Sequence, residues 1–447
     1  MLLSALGTSV ANVALPTLAQ AFSASLQEVQ WIVLAYLLAS TTLIVSVGRL
    51  GDLTGRRRLL LAGIFLFTVS SAVCGIAPTL WLLIAARAVQ GLGAAIMMAL
   101  TMAFVGETIP KAHTGSAMGL LGTMSAIGTA LGPTFGGLLI GGLGWPAIFF
   151  VTAALGILTL LLAQRFLPVD RREAPERTGF DLVGTLLLAL TLAAYALAMT
   201  TGRGGFGPLN LVLLIAAVFG VAAFALAEAK AAAPLVQLAL FRDPLLSAGF
   251  AMSTLVTTVV MATLVVGPFY LSGALALDAA RIGLVMSSGP TVAALTGMLA
   301  GRIVDRMGAQ RMTIAGLTGM AAGSATLPMV PVSFGILGYV APLVVITAGY
   351  ALFQAANNTT VMTHSRADQR GVISGLLNLS RNLGLITGAS VMGAVFALGS
   401  AASMTTARPE AVAAGMRLTF AVAAALIVVA LAIASLHHVF SRRQERL

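Results

Sequence analysis

The sequence predicts an all-α integral membrane protein, with two related six-helix bundles and two further helices inserted between them, fourteen transmembrane helices in all. Three observations predict it. Of 447 residues, 59% are hydrophobic and only 9% charged, with a mean hydropathy of +1.00, whereas soluble proteins carry about a quarter charged residues. The apolar residues come in continuous runs without dyad alternation, which selects helices over a closed barrel, the other architecture that satisfies a backbone inside a bilayer. A glycine- and arginine-rich stretch also occurs twice, 253 positions apart.

The first copy is Gly48-Arg49-Leu50-Gly51-Asp52-Leu53-Thr54-Gly55-Arg56-Arg57-Arg58, and the second is Gly301-Arg302-Ile303-Val304-Asp305-Arg306-Met307-Gly308-Ala309-Gln310-Arg311. Aligned without gaps, Gly48, Arg49, Asp52, Gly55 and Arg58 fall on Gly301, Arg302, Asp305, Gly308 and Arg311. A second set, Gly115, Gly119, Leu120, Leu121, Gly128, Gly132 and Gly137, returns as Gly371, Gly375, Leu376, Leu377, Gly384, Gly388 and Gly393 at an offset of 256. The chain therefore reads as a duplication.

A spanning helix takes about 20 apolar residues. The runs place spans at 2–22, 29–50, 58–77, 80–104, 115–140, 146–167, 181–201, 208–228, 245–272, 280–300, 311–331, 335–360, 372–398 and 415–436. Pro78, Pro110, Gly144 with Pro146, Pro208, Pro244 and Pro331 punctuate the joints. The first span ends on Ala-Phe-Ser-Ala, like a signal-peptide cleavage site, but it lacks the basic n-region of such a peptide. It is short at its cytoplasmic end, so a start upstream of Met1 is expected.

Charge tests the count. With fourteen spans and a cytoplasmic start, nineteen of the 25 basic residues fall in inside connectors, and only Arg203, Arg281, Arg408 and Arg417 fall outside. This bias places both termini in the cytoplasm. The expected organisation is a first bundle over 1–167, a linker with two additional helices over 168–244, a second bundle over 245–436 and a cytoplasmic tail over 437–447.

Several functions are excluded. The net charge of +11 belongs to topogenic loops, so no nucleic-acid partner is expected. Cys74 is the only cysteine, which rules out an intrachain disulfide or a cysteine metal site. The four histidines lie in or beside connectors, and no metal is expected. The sequence has no Walker loop and no Ser/His/Asp constellation, so an enzyme is not expected.

Four motifs carry a resemblance. Gly48, Arg49, Asp52, Gly55, Arg56 and Arg57, echoed by Gly301, Arg302, Asp305 and Gly308, form the first. Arg87-Ala88-Val89-Gln90-Gly91 on span 4 is the second. Gly128, Gly132 and Gly136 recur every four residues on span 5 beside Pro133 and Gly137, offering a smooth face and a missing backbone donor. Leu6-Gly7-Thr8-Ser9-Val10-Ala11-Asn12-Val13-Ala14-Leu15-Pro16 opens the chain. Together these resemble the fourteen-span drug:proton antiporters of the major facilitator superfamily, from span 1 to span 13.

The resemblance implies a fold of parallel repeats related by an axis along the membrane normal. It also implies that the first motif latches the cytoplasmic side, that the span 5 motif marks exporters, and that Arg87 serves proton coupling. An arginine near mid-span costs about 2.5–3.5 kcal/mol to insert, so Arg87 is a functional candidate on its own chemistry, with snorkelling to the interface as the alternative. The sequence departs from the family at Gly7, where the family carries an acid. No carboxylate replaces it deep in a span; Glu107 and Asp181 come nearest. A cavity without an anionic centre favours neutral, zwitterionic or weakly anionic amphiphiles over organic cations. Arg381 on span 13 is the second buried arginine, either structural or gating. Cavity candidates are Asn12, Tyr36, Met124, Thr257, Met261, Gln354 and Asn357.

The expected function is export of small amphipathic compounds from the cytoplasm across the inner membrane by alternating access. The proton gradient would supply the energy and no cofactor would take part. The expected partners are the lipid bilayer and the transported compound, and a monomer is expected to suffice. Uptake on the same fold, or a sensor or scaffold that has lost transport, are the alternatives.

Overall fold

The computed structural model describes residues 1–44, 46–108, 114–167, 181–201, 207–231, 234, 238–364, 370–400 and 409–444. The side chains of 48–49, 52–53, 102–103, 105–108, 114–120, 122–123, 126, 130, 239, 298, 370–372, 374 and 437–444 lie outside that description. Every regular element among the described residues is helical. In order they are α1 (Leu2–Ala21), α2 (Leu26–Ile44), α3 (Val47–Thr54), α4 (Arg56–Gly75), α5 (Leu80–Thr108), α6 (Thr114–Leu143), α7 (Pro146–Phe166), α8 (Leu182–Thr200) and α9 (Pro208–Lys230). There follow α10 (Pro244–Gly273), α11 (Ala279–Met286), α12 (Ser288–Met307), α13 (Ala309–Thr326), α14 (Gly335–His364), α15 (Arg370–Thr387), α16 (Gly393–Ser400) and α17 (Pro409–Gln444).

A helix lies over each of the fourteen apolar runs. Ten of them are long and apolar enough to cross a membrane among the described residues, or eleven if the bent pair over Ala279–Met307 counts as one span. The helices outside that count have identifiable weaknesses. Gln27, Glu28 and Gln30 open α2, while Gln310 and Arg311 open α13. In α6 the apolar stretch among the described residues is Ile127–Leu143. The outer helices show what surrounds them: on α9, Val212, Val218 and Phe219 are 60%, 69% and 70% exposed, an apolar surface suited to lipid.

Two expected boundaries change. The predicted span 29–50 is two helices, α2 and α3, and the glycine-arginine stretch is helical over Val47–Thr54 rather than a loop. In the second copy α12 likewise continues to Met307. The reversal is concentrated in one residue of each copy. Gly55 has φ 92° and ψ 124°, and Gly308 has φ 87° and ψ 137°, a conformation that a side chain disfavours. The thirteenth run, 372–398, is also broken. A π-helical segment, Gly388–Met392, separates α15 from α16, and such segments leave the i→i−4 ladder out of register.

The chain divides into two compact units. One holds Met1–Gly202, Phe206–Leu235 and Asp278–Leu284; the other holds Val236–Leu277 and Val285–Leu447. Within the first, α1 packs on α6, α2 and α4 pack on α5, and α8 packs on α9. Polar contacts hold α8 at both ends, Trp31 Nε1 of α2 donating to Thr200 Oγ1 at 3.0 Å and Ser46 Oγ, at the start of α3, meeting Thr185 Oγ1 at 3.0 Å. Within the second unit, α13 packs on α14 and α10 on α15.

The duplication seen in sequence recurs in backbone detail. In the first unit the Gly55 N–H donates to Gly51 O at 2.9 Å and the Leu59 N–H to Gly55 O at 3.0 Å. In the second, Gly308 donates to Val304 O at 2.9 Å and Met312 to Gly308 O at 3.3 Å. All of these positions differ by 253. The helix seams match as well. A Cβ on Gly93 of α5 would stand 2.7 Å from the Gly63 carbonyl of α4, and one on Gly349 of α14 would stand 2.6 Å from the Gly316 carbonyl of α13. A Cβ on Gly128 would strike the Leu2 carbonyl, and one on its counterpart Gly384 would strike the Thr254 carbonyl. Small residues thus bring helix backbones together where lipid supplies no hydrophobic drive.

Candidate functional site: a buried arginine network

Arg87 sits on α5, and its placement begins with a glycine. A side chain on Gly91 would collide with the Tyr36 carbonyl, so glycine there lets α5 lie directly against the α2 backbone. The guanidinium consequently reaches main-chain acceptors on two other helices. Nε donates to Ile32 O on α2 at 3.0 Å, and Nη1 donates to Gly7 O on α1 at 2.9 Å and to Gln90 Oε1. Gln90 Nε2 donates onward to Ser71 Oγ on α4 at 2.6 Å, and the Ser71 hydroxyl donates to Phe67 O at 2.6 Å. The Tyr36 ring covers the guanidinium, with Cζ 4.3 Å from its centroid, and the Tyr36 hydroxyl donates to Ser4 O at 3.0 Å.

Arg87 and Gln90 are both 0% exposed. A guanidinium keeps its charge in proteins, and holding it away from water costs several kcal/mol unless partners compensate. The partners here are neutral dipoles and an aromatic face, the latter contributing about 0.5–2 kcal/mol. Among the described residues no carboxylate bonds to it, and Nη2 has no hydrogen-bond partner. The result is a fixed, incompletely compensated positive centre joining α1, α2, α4 and α5. Gly7 is part of why. A Cβ there would lie 2.9 Å from Phe67 Cζ and 3.5 Å from Tyr36 Oη, so the Phe67 ring occupies the space that a longer residue would need.

The other sequence candidates disperse. The side chains of Gly48, Arg49, Asp52 and Glu107 lie outside the described residues. Arg56 and Arg57 open α4, and Arg57 Nη2 donates to Gln164 O at 2.8 Å. Gly301, Arg302 and Asp305 ride on α12, with Arg302 and Asp305 exposed. Asp181 is the N-cap of α8, accepting from the Gly184 N–H at 2.7 Å. Arg381 is half-buried on α15, and its carbonyl accepts from Thr257 Oγ1 at 3.1 Å. Gly132 and Gly136 face Ser9 and Val10 of α1 along a helix that runs unbroken through Pro133.

Of the cavity candidates, Tyr36 belongs to the arginine network. Asn12 is buried and turns back on its own helix, Nδ2 to Thr8 O at 3.5 Å. Thr257 and Met261 fill the seam between α10 and the glycines of α15 and the π segment. Met124 and Gln354 are half-buried. Asn357 donates to Gly249 O at 3.2 Å and lines a cavity of about 210 Å³ in the second unit, with Leu245, Met252, Gln310, Thr313 and Thr360. At that unit's edge Asp243 caps α10 and lies 3.0 Å from His364 Nε2. Burial acts to raise the Asp243 carboxyl, but hydrogen bonds from His364 and from the Leu246 and Leu245 N–H groups outweigh it and hold the group below its usual value. Sequence reasoning did not find Ser71, Phe67, Ile32 or the Gly7 carbonyl. Ser71 alone had a signal, as a polar residue in an apolar helix.

The chain has recognisable relatives. Residues 1–389 match the sequence model of the Major Facilitator Superfamily. An uncharacterised transporter of Escherichia coli, YebQ, is 31% identical over 87% of this chain and 85% of its own. The multidrug resistance protein Stp of Mycobacterium tuberculosis is 32% identical over 87% of this chain and 72% of its own. The riboflavin transporter RibZ of Clostridioides difficile is 30% identical over 88% and 86%. Among solved structures, a bacterial homologue of the human lysosomal transporter Spinster, inward-facing and occupied, superposes with a TM-score of 0.73 over 97% of this chain and 94% of its own, at 15% identity. The duplicated helical architecture and these matches lead to one assignment: the chain belongs to the Major Facilitator Superfamily, as a multi-pass membrane transporter rather than an enzyme.

Proposed function

We propose that this chain exports small amphipathic compounds by alternating access, driven by proton influx. The observation that carries the reading is the set of relatives named for efflux. Besides Stp, these include the drug efflux pump JefA of Mycobacterium tuberculosis, 32% identical over 89% of this chain, and a tetracenomycin C resistance and export protein of Streptomyces glaucescens, 28% identical over 89%. The Gly132-Pro133 seam of α6 against α1 supports the same direction of transport through its resemblance to the exporter motif. In this reading the chain crosses the inner membrane fourteen times with both ends in the cytoplasm. Residues 1–167 and 245–436 are the moving halves, 168–244 adds two lipid-facing helices, and one copy suffices.

The buried positive centre at Arg87, without an acid at position 7, favours neutral or weakly anionic cargo. Proton coupling then falls to Arg87 and to carboxylates nearer the helix ends, Glu107 and Asp181. RibZ, named only as a riboflavin transporter, motivates a second reading, movement of one neutral heterocyclic nutrient. A susceptibility panel in cells overproducing the protein tests the first. Resistance to several unrelated neutral compounds is expected, and unchanged susceptibility throughout, with enhanced uptake of a single compound, contradicts it.

A further inference from the structure

We propose that Arg87 is an anion-recognition point: in a state of the cycle that opens α1, α2 and α5, its free Nη2 takes one oxygen of a carboxylate on the transported compound, or an inorganic halide of the same charge. The inference rests on the transport reading above and narrows its substrate class. A guanidinium offers its donors in a planar fork suited to carboxylates. Here Nε and Nη1 are spent on Ile32, Gly7 and Gln90. Among the described residues Nη2 alone is unspent, on a side chain that is 0% exposed.

The surroundings are rigid and neutral. Gln90 is fixed from behind by Ser71, and the Tyr36 ring covers one face, so the donor is held in place before a ligand arrives. A carboxylate brings a full opposite charge to this buried cation, whereas an amide of the same shape brings only a carbonyl dipole. Gly7 brings no carboxylate of its own to the site. A residue with its own carboxylate there would neutralise the site from within, but Phe67 fills the room for it. The same site thus favours ionised acids over their uncharged amides and over organic cations.

The test is thermal unfolding of the purified full chain in lipid nanodiscs at constant ionic strength, with sodium benzoate, benzamide or sodium chloride as probes. Saturating benzoate is expected to raise the midpoint by about 2 °C or more, and benzamide to leave it unchanged. Arg87→Gln is expected to abolish the benzoate response. If Arg87→Gln does not fold, the paired change Gly7→Asp with Phe67→Leu, which supplies an internal carboxylate and the room for it, must abolish the response instead. A chloride response as large as that of benzoate, and lost in the same variants, identifies the inorganic ion as the occupant and upholds the site. An equal benzoate response in wild type and variants, or no response to either anion, overturns it. Neutral-compound export without any anion response sinks only the anion site, and an anion response without export sinks only the export reading.

Discussion

The two units answer the same sequence positions with different chemistry. In the first, α4 and α5 meet at Gly63 and Gly93, and a turn away Arg87, Gln90 and Ser71 form a charged network. In the second, α13 and α14 meet at Gly316 and Gly349 in the same geometry, but the equivalent positions are Leu343, Ile346 and Ser324. Tyr36, which covers the guanidinium, corresponds to Gly289, whose nearest neighbours include Leu343. Ser324 is 0% exposed and its hydroxyl has no hydrogen-bond partner among the described residues; the amide that Ser71 receives in the first unit is an isoleucine in the second. Duplication has kept what the backbone needs, the close glycine seams and the two reversals, while the Arg87-Gln90-Ser71 contacts have no counterpart in side-chain type at Leu343 and Ile346.

That contrast can be broken by moving the charge. Leu343→Arg places a guanidinium where the second unit has Ile346 in place of Gln90 and Gly289 in place of Tyr36, and the insertion cost of about 2.5–3.5 kcal/mol should abolish folded protein in membrane fractions. Ile346→Gln alone should be far milder, because Ser324 gives the new amide a partner. Normal accumulation of Leu343→Arg would show that the second unit tolerates the charge and that the asymmetry carries no meaning.

The seams should fail together. Gly93→Ala and Gly349→Ala each push a methyl to within 2.7 and 2.6 Å of a backbone carbonyl, an overpacking worth about 1–3 kcal/mol. Equal losses of thermal stability are expected. Gly375→Ala, with nothing within 4 Å of the added carbon, should be neutral. A large gap between the Gly93 and Gly349 variants would undo the structural equivalence.

These seams mark how far the sequence could be read. The offsets of 253 and 256 were visible because arginine and aspartate are rare enough in an apolar chain to align by eye, and a glycine requirement leaves a literal trace. Arg87 stood out because charge is costly in a span. Its partners did not, since two of them are main-chain carbonyls, of Gly7 and Ile32, and every residue has a carbonyl. The break between α2 and α3 and the π segment at Gly388–Met392 were equally hidden, because no residue type marks a shifted hydrogen-bond ladder. Thr257 and Met261 looked like cavity residues because a polar or flexible side chain in a span has the same signature whether it faces a cavity or a neighbouring helix.

The reversals give a finer test. Alanine at Gly55 or Gly308 must adopt a positive φ near 90°, a strain of about 1–3 kcal/mol, and the two losses should agree because the two conformations do. Thermal melts of both variants check this, and unequal losses would mean that the two turns bear different loads.

The smallest effect expected is at the edge of the second unit. Asp243 is held below its usual carboxyl value, so the stability it contributes is complete above the unfolded value and is lost as pH falls through the lower folded one. Melts of Asp243→Asn against wild type should therefore diverge at neutral pH and converge in acid. The gap should be under about 1 kcal/mol, given a partly exposed pair and an asparagine that still caps the helix. A gap that widens in acid would contradict the assignment.

The central claim is gradient-driven movement of an uncharged or weakly anionic amphiphile. Proteoliposomes loaded with a neutral fluorescent amphiphile, assayed under an imposed pH gradient and again after a protonophore collapses it, test that claim most directly. The account predicts flux well above protein-free vesicles that falls with the gradient and is lost in Arg87→Leu. Flux indifferent to the gradient, or indistinguishable between Arg87→Leu and wild type, would contradict it.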